Sequence, residues 1–201
     1  LLPRFYDVTS GNVRIDGKNV KEYDLDILRE KFGIVPQKAV LFHGTIRDNM
    51  LLGNENASDE EIWEALRIAQ ADSVVKEKEK ELDTVIQEGG KNLSGGQKQR
   101  LTIARALVRK PEILILDDST SALDFATDAK LRRAIAENTN AMTVCIVSQR
   151  VMSMMKADKI FVLDKGKLVG SGTHEELLKT CEVYKEICSS QLSKEEVARH
   201  A

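Results

Sequence analysis

The sequence predicts an α/β fold, and three observations carry that prediction. Short apolar runs alternate with amphipathic helical stretches along the chain. Ile113-Leu114-Ile115-Leu116 is apolar at every position, the pattern of a strand buried on both faces of a parallel sheet. Leu93-Ser94-Gly95-Gly96-Gln97 places a serine and two glycines where a long helix begins. Such an end offers unpaired backbone N–H groups and the positive pole of the helix dipole.

Taken in order, Val13-Arg14-Ile15 alternates and Asp16-Gly17 follows as a turn signal. Ile34-Val35 is a short apolar strand stopped by Pro36. Ile46 to Lys80 reads as mostly helical, with Ile62, Ala65, Leu66 and Ala69 on one face and a capping box from Ser58 and Glu61. The alternating charges from Lys76 to Glu81 suit a solvated helix end, and Gly89-Gly90 breaks the pattern. The helix after Ser94 turns Leu101, Ala104, Leu107 and Val108 inward and ends near Lys110-Pro111. Asp124 to Ala136 is helical, Met142 to Val147 is a second buried strand, and a hairpin runs from Lys159 to Val169 across Lys165-Gly166. Thr173-x-x-Glu176 caps a short helix with His174 in the turn before it. Residues 179–201 read as a C-terminal helix and polar tail.

At 201 residues the chain is long enough to bury a substantial core. Thirty basic against 32 acidic side chains leave a net charge of −2, which gives no support to a surface that coats nucleic acid. Cys145, Cys181 and Cys188 make no CxxC or Cys/His ligand spacing, and so odd and sparse a count suits a reducing compartment. No apolar run reaches the roughly 18 to 20 residues that span a bilayer. His43 and His174 lack partners at ligand spacing, and Trp63, Met152, Met154 and Met155 read as packing residues. The opening Leu-Leu-Pro-Arg-Phe, without an initiator Met, reads as the start of a fragment.

Two features carry chemistry. Ser94-x-x-Gln97 fits a capping box that needs no ligand. The same turn suits a phosphate group, because glycine lets the backbone approach closely and the serine hydroxyl adds a donor. Asp117 and Asp118 directly follow the apolar strand, at the carboxyl end where open parallel sheets bind ligands. Two carboxylates there suit a Mg²⁺ that keeps its waters and bridges phosphates. Asp118 also fits a cap on the turn toward Ser119-Thr120.

Together these motifs resemble the nucleotide-binding domain of an ATP-binding cassette (ABC) transporter of the exporter type, over nearly the whole chain. Leu93 to Gln97 is similar to the family's signature motif, Ile113 to Asp117 to its Walker B strand, and Ser121-Ala122-Leu123-Asp124 to its D-loop. Val35-Pro36-Gln37 resembles the Q-loop. Thr84 to Gly90 resembles the exporters' X-loop, with Glu88 at its acidic position, and Val40 to Ile46 is also exporter-like. The resemblance implies a RecA-like P-loop NTPase core of residues 1–36 and 108–178 with an inserted helical subdomain of residues 37–107. It implies ATP and Mg²⁺ as cofactors. Leu93, Ser94, Gly95, Gly96, Gln97, Ser121 and Asp124 would face nucleotide, Asp117 and Gln37 the metal, and Asp118, Gln149 and Gln37 the hydrolysed bond. It further implies a second such domain paired head to tail, so that each ATP lies between the Walker motifs of one and the signature of the other. Transmembrane domains would engage through the Gln37 and Glu88 regions, which sets the chain on the cytoplasmic face of the cell membrane.

Three departures accompany the resemblance. Gly11 to Asn19 is the nearest candidate for a Walker A, yet it has five residues between its glycines where the pattern has four, and Asn in place of Ser or Thr. It reads as a β-turn. The P-loop and its strand are therefore expected outside the sequence, and the 201 residues alone are expected to fold poorly or leave a groove, and to hydrolyse nothing. Asp118 stands where the family has its catalytic glutamate, one methylene short, and a misplacement of about an ångström can cost about 10²-fold in rate. Gln149 stands where the family has its switch histidine and carries neither a titrating proton nor a positive charge. Both substitutions together resemble the degenerate half of a heterodimeric multidrug exporter. Two other readings are a module that clamps ATP without hydrolysis, and a soluble ABC ATPase acting on DNA or ribosomes. The exporter-like segments disfavour the latter.

Overall fold

In the computed structural model, which describes residues 1–138 and 142–191, the first strands form across Asp16-Gly17. β1 (Arg14–Ile15) and β2 (Lys18–Asn19) pair antiparallel there. Asp24 then caps α1 (Leu25–Glu30), its Oδ1 accepting from the Asp26 and Ile27 N–H groups. β3 (Phe32–Val35), β6 (Ile113–Asp117) and β7 (Thr143–Val147) make a parallel sheet in the order β3-β6-β7. Leu114 and Leu116 face one apolar cluster, while Ile113 and Ile115 pack on a second, built from Ile15, Val20, Leu28 and Phe32. The uniformly apolar run at 113–116 is thus explained by packing on both faces. β7 is the last strand of this sheet among the described residues.

The expected helical stretch from Ile46 to Lys80 is three helices: α2 (Ile46–Leu51), α3 (Asp59–Ile68) and α4 (Asp72–Lys76). Two local features divide it. Gly53 lies so close to the later helix α5 (Gly95–Val108) that a Cβ would fall 2.2 Å from the Arg105 carbonyl oxygen. Gln70 takes a left-handed conformation at φ 57°, which no α-helix continues through. The Ser58/Glu61 capping box is formed as expected. Beyond Lys76 the charge run leads into a 3-10 turn at Glu81–Asp83, and β5 (Val85–Ile86) pairs with β4 (Gly44–Thr45). α5 buries Leu101, Ile103, Ala104, Leu107 and Val108 against this helical layer. α6 (Phe125–Asn138) follows β6.

The chain forms two compact units, Leu1–Val147 and Ser148–Ala201. The expected core of residues 1–36 and 108–178 contributes to both, whereas residues 37–107 lie wholly in the first. In the second unit α7 (Val151–Met154) precedes a hairpin of β8 (Ile160–Asp164) and β9 (Lys167–Gly172), longer than the sequence suggested. α8 (His174–Thr180) has the Thr173/Glu176 box, and α9 (Glu182–Gln191) follows; the rest of the expected tail, 192–201, lies outside the described residues. His174 is not in the turn but is the first residue of α8, buried, with Nδ1 2.9 Å from the Tyr184 hydroxyl. Cys181 and Cys188 are buried free thiols in the same cluster, and Cys145 is half-buried in β7.

Gly53→Ala is expected to destabilise the chain by about 2–4 kcal/mol, because a backbone carbonyl cannot step aside as a flexible side chain does. Urea unfolding of the two forms measures it. Burial, with a smaller effect of Cys188, pushes the Tyr184 phenol well above its ordinary value of 10.0. The folded state therefore holds that proton more tightly than the unfolded one. Stability should be intact below about pH 10 and fall as pH rises above it. A urea series from pH 8 to pH 11 should show a steeper loss for the wild type than for Tyr184→Phe.

Candidate functional site

Parallel pairing of β3 with β6 brings their carboxyl ends to one edge, and the polar residues that follow each strand meet there. Gln37, two residues beyond β3, donates from Nε2 to Asp118 Oδ2 at 2.9 Å. Asp118 is held in an unusual backbone state, with φ 45°. That region costs a non-glycine residue about 1–2 kcal/mol, although Asp tolerates it better than most. Its N–H donates to the Val147 carbonyl at 2.8 Å, and its own carbonyl accepts from the Ser121 hydroxyl at 2.8 Å. The first residue of the expected D-loop thus fixes the turn that carries Asp118. Asp117 ends β6 with its side chain exposed beside this pair.

Asp117, Asp118 and the Gln37 amide oxygen suit a Mg²⁺ that takes one or two protein oxygens and fills its shell with phosphate and water. They do not make a cage by themselves: no cluster of three or more acidic, His or Cys side chains suited to a metal occurs among the described residues. Asp124 is placed differently. Its Oδ1 accepts from the Thr127 N–H at 2.9 Å and its Oδ2 from the Thr127 hydroxyl at 2.7 Å. These bonds hold its carboxyl below the usual carboxylate range and orient it at the start of α6.

The Ser94–Gln97 turn realises the capping box. Ser94 Oγ accepts from the Gln97 N–H at 3.2 Å, and the Ser94 N–H donates to Gln97 Oε1 at 3.0 Å. The two glycines face different surroundings. A Cβ on Gly96 would lie 3.5 Å from the Ala122 carbonyl oxygen and from Leu123, so this turn packs against the expected D-loop. A Cβ on Gly95 would meet no atom of the chain within 4 Å. Leu93 is buried and packs in the core cluster. Glu88, expected at the membrane-domain contact, is exposed on the 3-10 turn Glu88–Gly90 after β5.

Gln149 belongs to the second unit, two residues after β7 ends, with its side chain exposed. Its carbonyl accepts from Gln191 Nε2 at 2.6 Å. The first unit also holds a cleft of about 660 Å³ that the motifs did not announce. Phe5, Arg29, Ile34, Phe42, Leu52, Arg105 and Arg109 are among its lining residues, drawn from five separate stretches of sequence. No periodicity or spacing links them. Phe42 and Leu52 are 55% and 59% exposed, far more than large apolar groups in a core. Arg105 stands over the Phe42 ring at 5.6 Å and donates from Nη2 to the Val40 carbonyl at 2.9 Å. Burial pulls its guanidinium below the ordinary arginine range. Among the described residues no helix is long and apolar enough to cross a membrane.

Comparison with known proteins gives a consistent picture. The family model for ABC transporters matches residues 1–121. An uncharacterized ABC transporter ATP-binding protein of Bacillus subtilis, YfiB, is 48% identical over 195 residues, 97% of this chain and 34% of its own length. A Staphylococcus aureus protein provisionally named a multidrug export ATP-binding/permease protein is 43% identical over 191 residues, 95% of this chain and 33% of its own. Among solved structures, a bacterial Atm1-family ABC exporter with ATP bound superposes with a TM-score of 0.92 at 36% identity, over 96% of this chain and 34% of that one. The chain spans about a third of the length of the relatives it matches. With motif, fold and relatives in agreement, the chain belongs to the ABC transporter family and has the RecA-like α/β fold of that family's ATP-binding domain.

Proposed function

We propose that this chain is the ATP-handling domain of a membrane exporter, and that its signature turn serves an ATP held mainly by a second domain. The supporting observation is the Ser94–Gln97 turn. Its cap bonds are closed within the chain, yet the space over Gly95 is open, so the backbone N–H groups at the helix start are approachable by a phosphate from outside. ATP and Mg²⁺ are the proposed cofactors. When bound, the metal would supply positive charge that offsets the charge of the phosphates. Asp117 and the Gln37 amide would hold it, and Asp118 would orient water.

The chain's own acidic side is the slow one in this proposal. Asp118 carries one methylene fewer than glutamate, and Gln37 draws its carboxylate toward the strand end. Gln149 can hydrogen-bond a phosphate oxygen but cannot offer a positive charge. The partner is accordingly a second, non-identical ABC domain, arranged head to tail. Residues 1–36 and 108–178 are proposed as the core, residues 37–107 as the helical subdomain and residues 179–201 as the C-terminal helix and tail. The transmembrane domains are proposed to contact the Gln37 and Glu88 regions and to seat a helix in the Phe42–Leu52–Arg105 cleft, on the cytoplasmic face of the membrane. An apolar cleft edged by Arg29, Arg105 and Arg109 suits a helix that brings apolar side chains and an acceptor. A second reading, a clamp that never hydrolyses at this chain's own side, draws on the same Gln37–Asp118 bond.

Single-turnover hydrolysis in the full-length heterodimer separates the two. Asp118→Glu with Gln149→His should raise turnover at this chain's own site by about 10²-fold; no gain sinks the slow-site reading. Gly95→Ala tests the signature turn in the same protein. The thermal midpoint should hold or rise, because alanine favours the helix by up to about 1 kcal/mol. ATPase activity should fall about tenfold or more, because a methyl group stands where the phosphate must approach.

A further inference from the structure

We propose that Asn92 and Lys98 are positioning residues that latch the segment from Thr84 to Gly90 onto the first turn of α5, so that displacing one displaces the other. The proposal rests on the reading of Ser94–Gln97 as the nucleotide-facing turn. Asn92 acts as a substitute strand for this segment. Its Nδ2 donates to the Val85 carbonyl at 3.0 Å, and its Oδ1 accepts from the Gln87 N–H at 3.1 Å. In a strand, groups two residues apart face the same side, so one side-chain amide satisfies both. The opposite side of the segment is taken by β4, together with the Ile46 N–H, which donates to the Thr84 carbonyl at 3.0 Å. The segment is therefore bonded along both edges, and one edge belongs to the residue that leads into Leu93-Ser94.

Lys98 closes the other end. Gly89 and Gly90 both take left-handed conformations, at φ 64° and 66°, and turn the chain back toward α5. Lys98 Nζ donates to the Gly89 carbonyl at 2.9 Å, and its stem lies on Gly90 so closely that a Cβ there would be 3.0 Å from Cε. A lysine this near a helix N-terminus works against the dipole, and no acidic residue in the first turn offsets it. The bond to Gly89 accounts for a residue that local helix preference disfavours.

The latch is continuous with the cleft. Asn49, 1% exposed, donates from Nδ2 to the Phe42 carbonyl at 2.9 Å and the Thr45 carbonyl at 3.0 Å, and accepts from the Phe42 N–H at 2.9 Å. Hydrogen bonds of fixed geometry thus run from Phe42 in the cleft through β4 and β5 to Asn92 and the signature turn. Such a connection transmits only if its members are energetically coupled, which a mutant cycle measures.

The test uses the full-length transporter with its partner in lipid nanodiscs. Lys98→Met keeps the stem and removes the bond, Lys98→Arg keeps a donor, and Asn92→Ala removes both amide bonds. Each of Lys98→Met and Asn92→Ala should raise the KM for ATP about five- to tenfold with kcat changed less than about twofold, the loss expected for a bond or two that orient a binding turn. Amide exchange across residues 85–97 should quicken, Lys98→Arg should restore the KM, and the double variant should fall short of the product of the single effects. The proposal is overturned if both single variants leave the KM and the exchange unchanged, if Lys98→Arg fails to restore, or if the effects multiply independently. Gly95→Ala distinguishes two failures. If it leaves both the KM and the ATPase activity unchanged, the nucleotide-facing reading falls and the latch with it. If it raises the KM or lowers the ATPase activity while the latch variants change neither KM nor exchange, the latch alone is wrong.

Discussion

The parallel register of β3 on β6 is the constraint on which the candidate site depends. Phe32 faces Ile113 and Val35 faces Leu116, so both strands deliver their carboxyl ends to the same edge. Gln37 and Asp118 are 81 positions apart in sequence and hydrogen-bonded in space only because this register holds. A slip by one residue would turn every side chain of the strand to the other face and separate the pair. The apolar clusters on both faces of the sheet resist such a slip, since Leu114 and Leu116 would exchange surroundings with Ile113 and Ile115.

A second dependence runs through α5. Its buried face is clamped among α2, α3 and β3, and its first turn carries the two glycines. The capping box supplies a rigid helix start without any ligand, so the phosphate reading and the structural one describe two uses of the same atoms. Ser94 Oγ and Gln97 Oε1 serve the cap, while the open side of Gly95 remains for something else. This is economical: a helix end already ordered by its own side chains loses little further entropy when a ligand docks.

Much of this was legible along the chain because the signals were local. Capping boxes at Ser58, Ser94 and Thr173 depend on residues three apart, and all three are formed. The apolar strand at 113–116 and the helix after Ser94 depend on short-range periodicity. The reading was weaker where distant residues decide. The stretch from Ile46 to Lys80 looked like one helical region because its apolar period is helical; its breaks come from α5 pressing on Gly53 and from the backbone at Gln70. His174 looked like a turn residue, and its burial depends on Tyr184 from the next helix.

The amino-acid order alone determined the α/β class, the caps, the buried parallel strand and the motifs that identify the family, because each is written in neighbours within a few positions. Tertiary structure alone decided that Gln37 bonds Asp118, that Asp124 is spent on Thr127, that Gly95 is open while Gly96 is packed, and that a cleft forms around Phe42, Leu52 and Arg105. Those outcomes depend on where the backbone sets side chains that are tens of residues apart, and on how much room their neighbours leave.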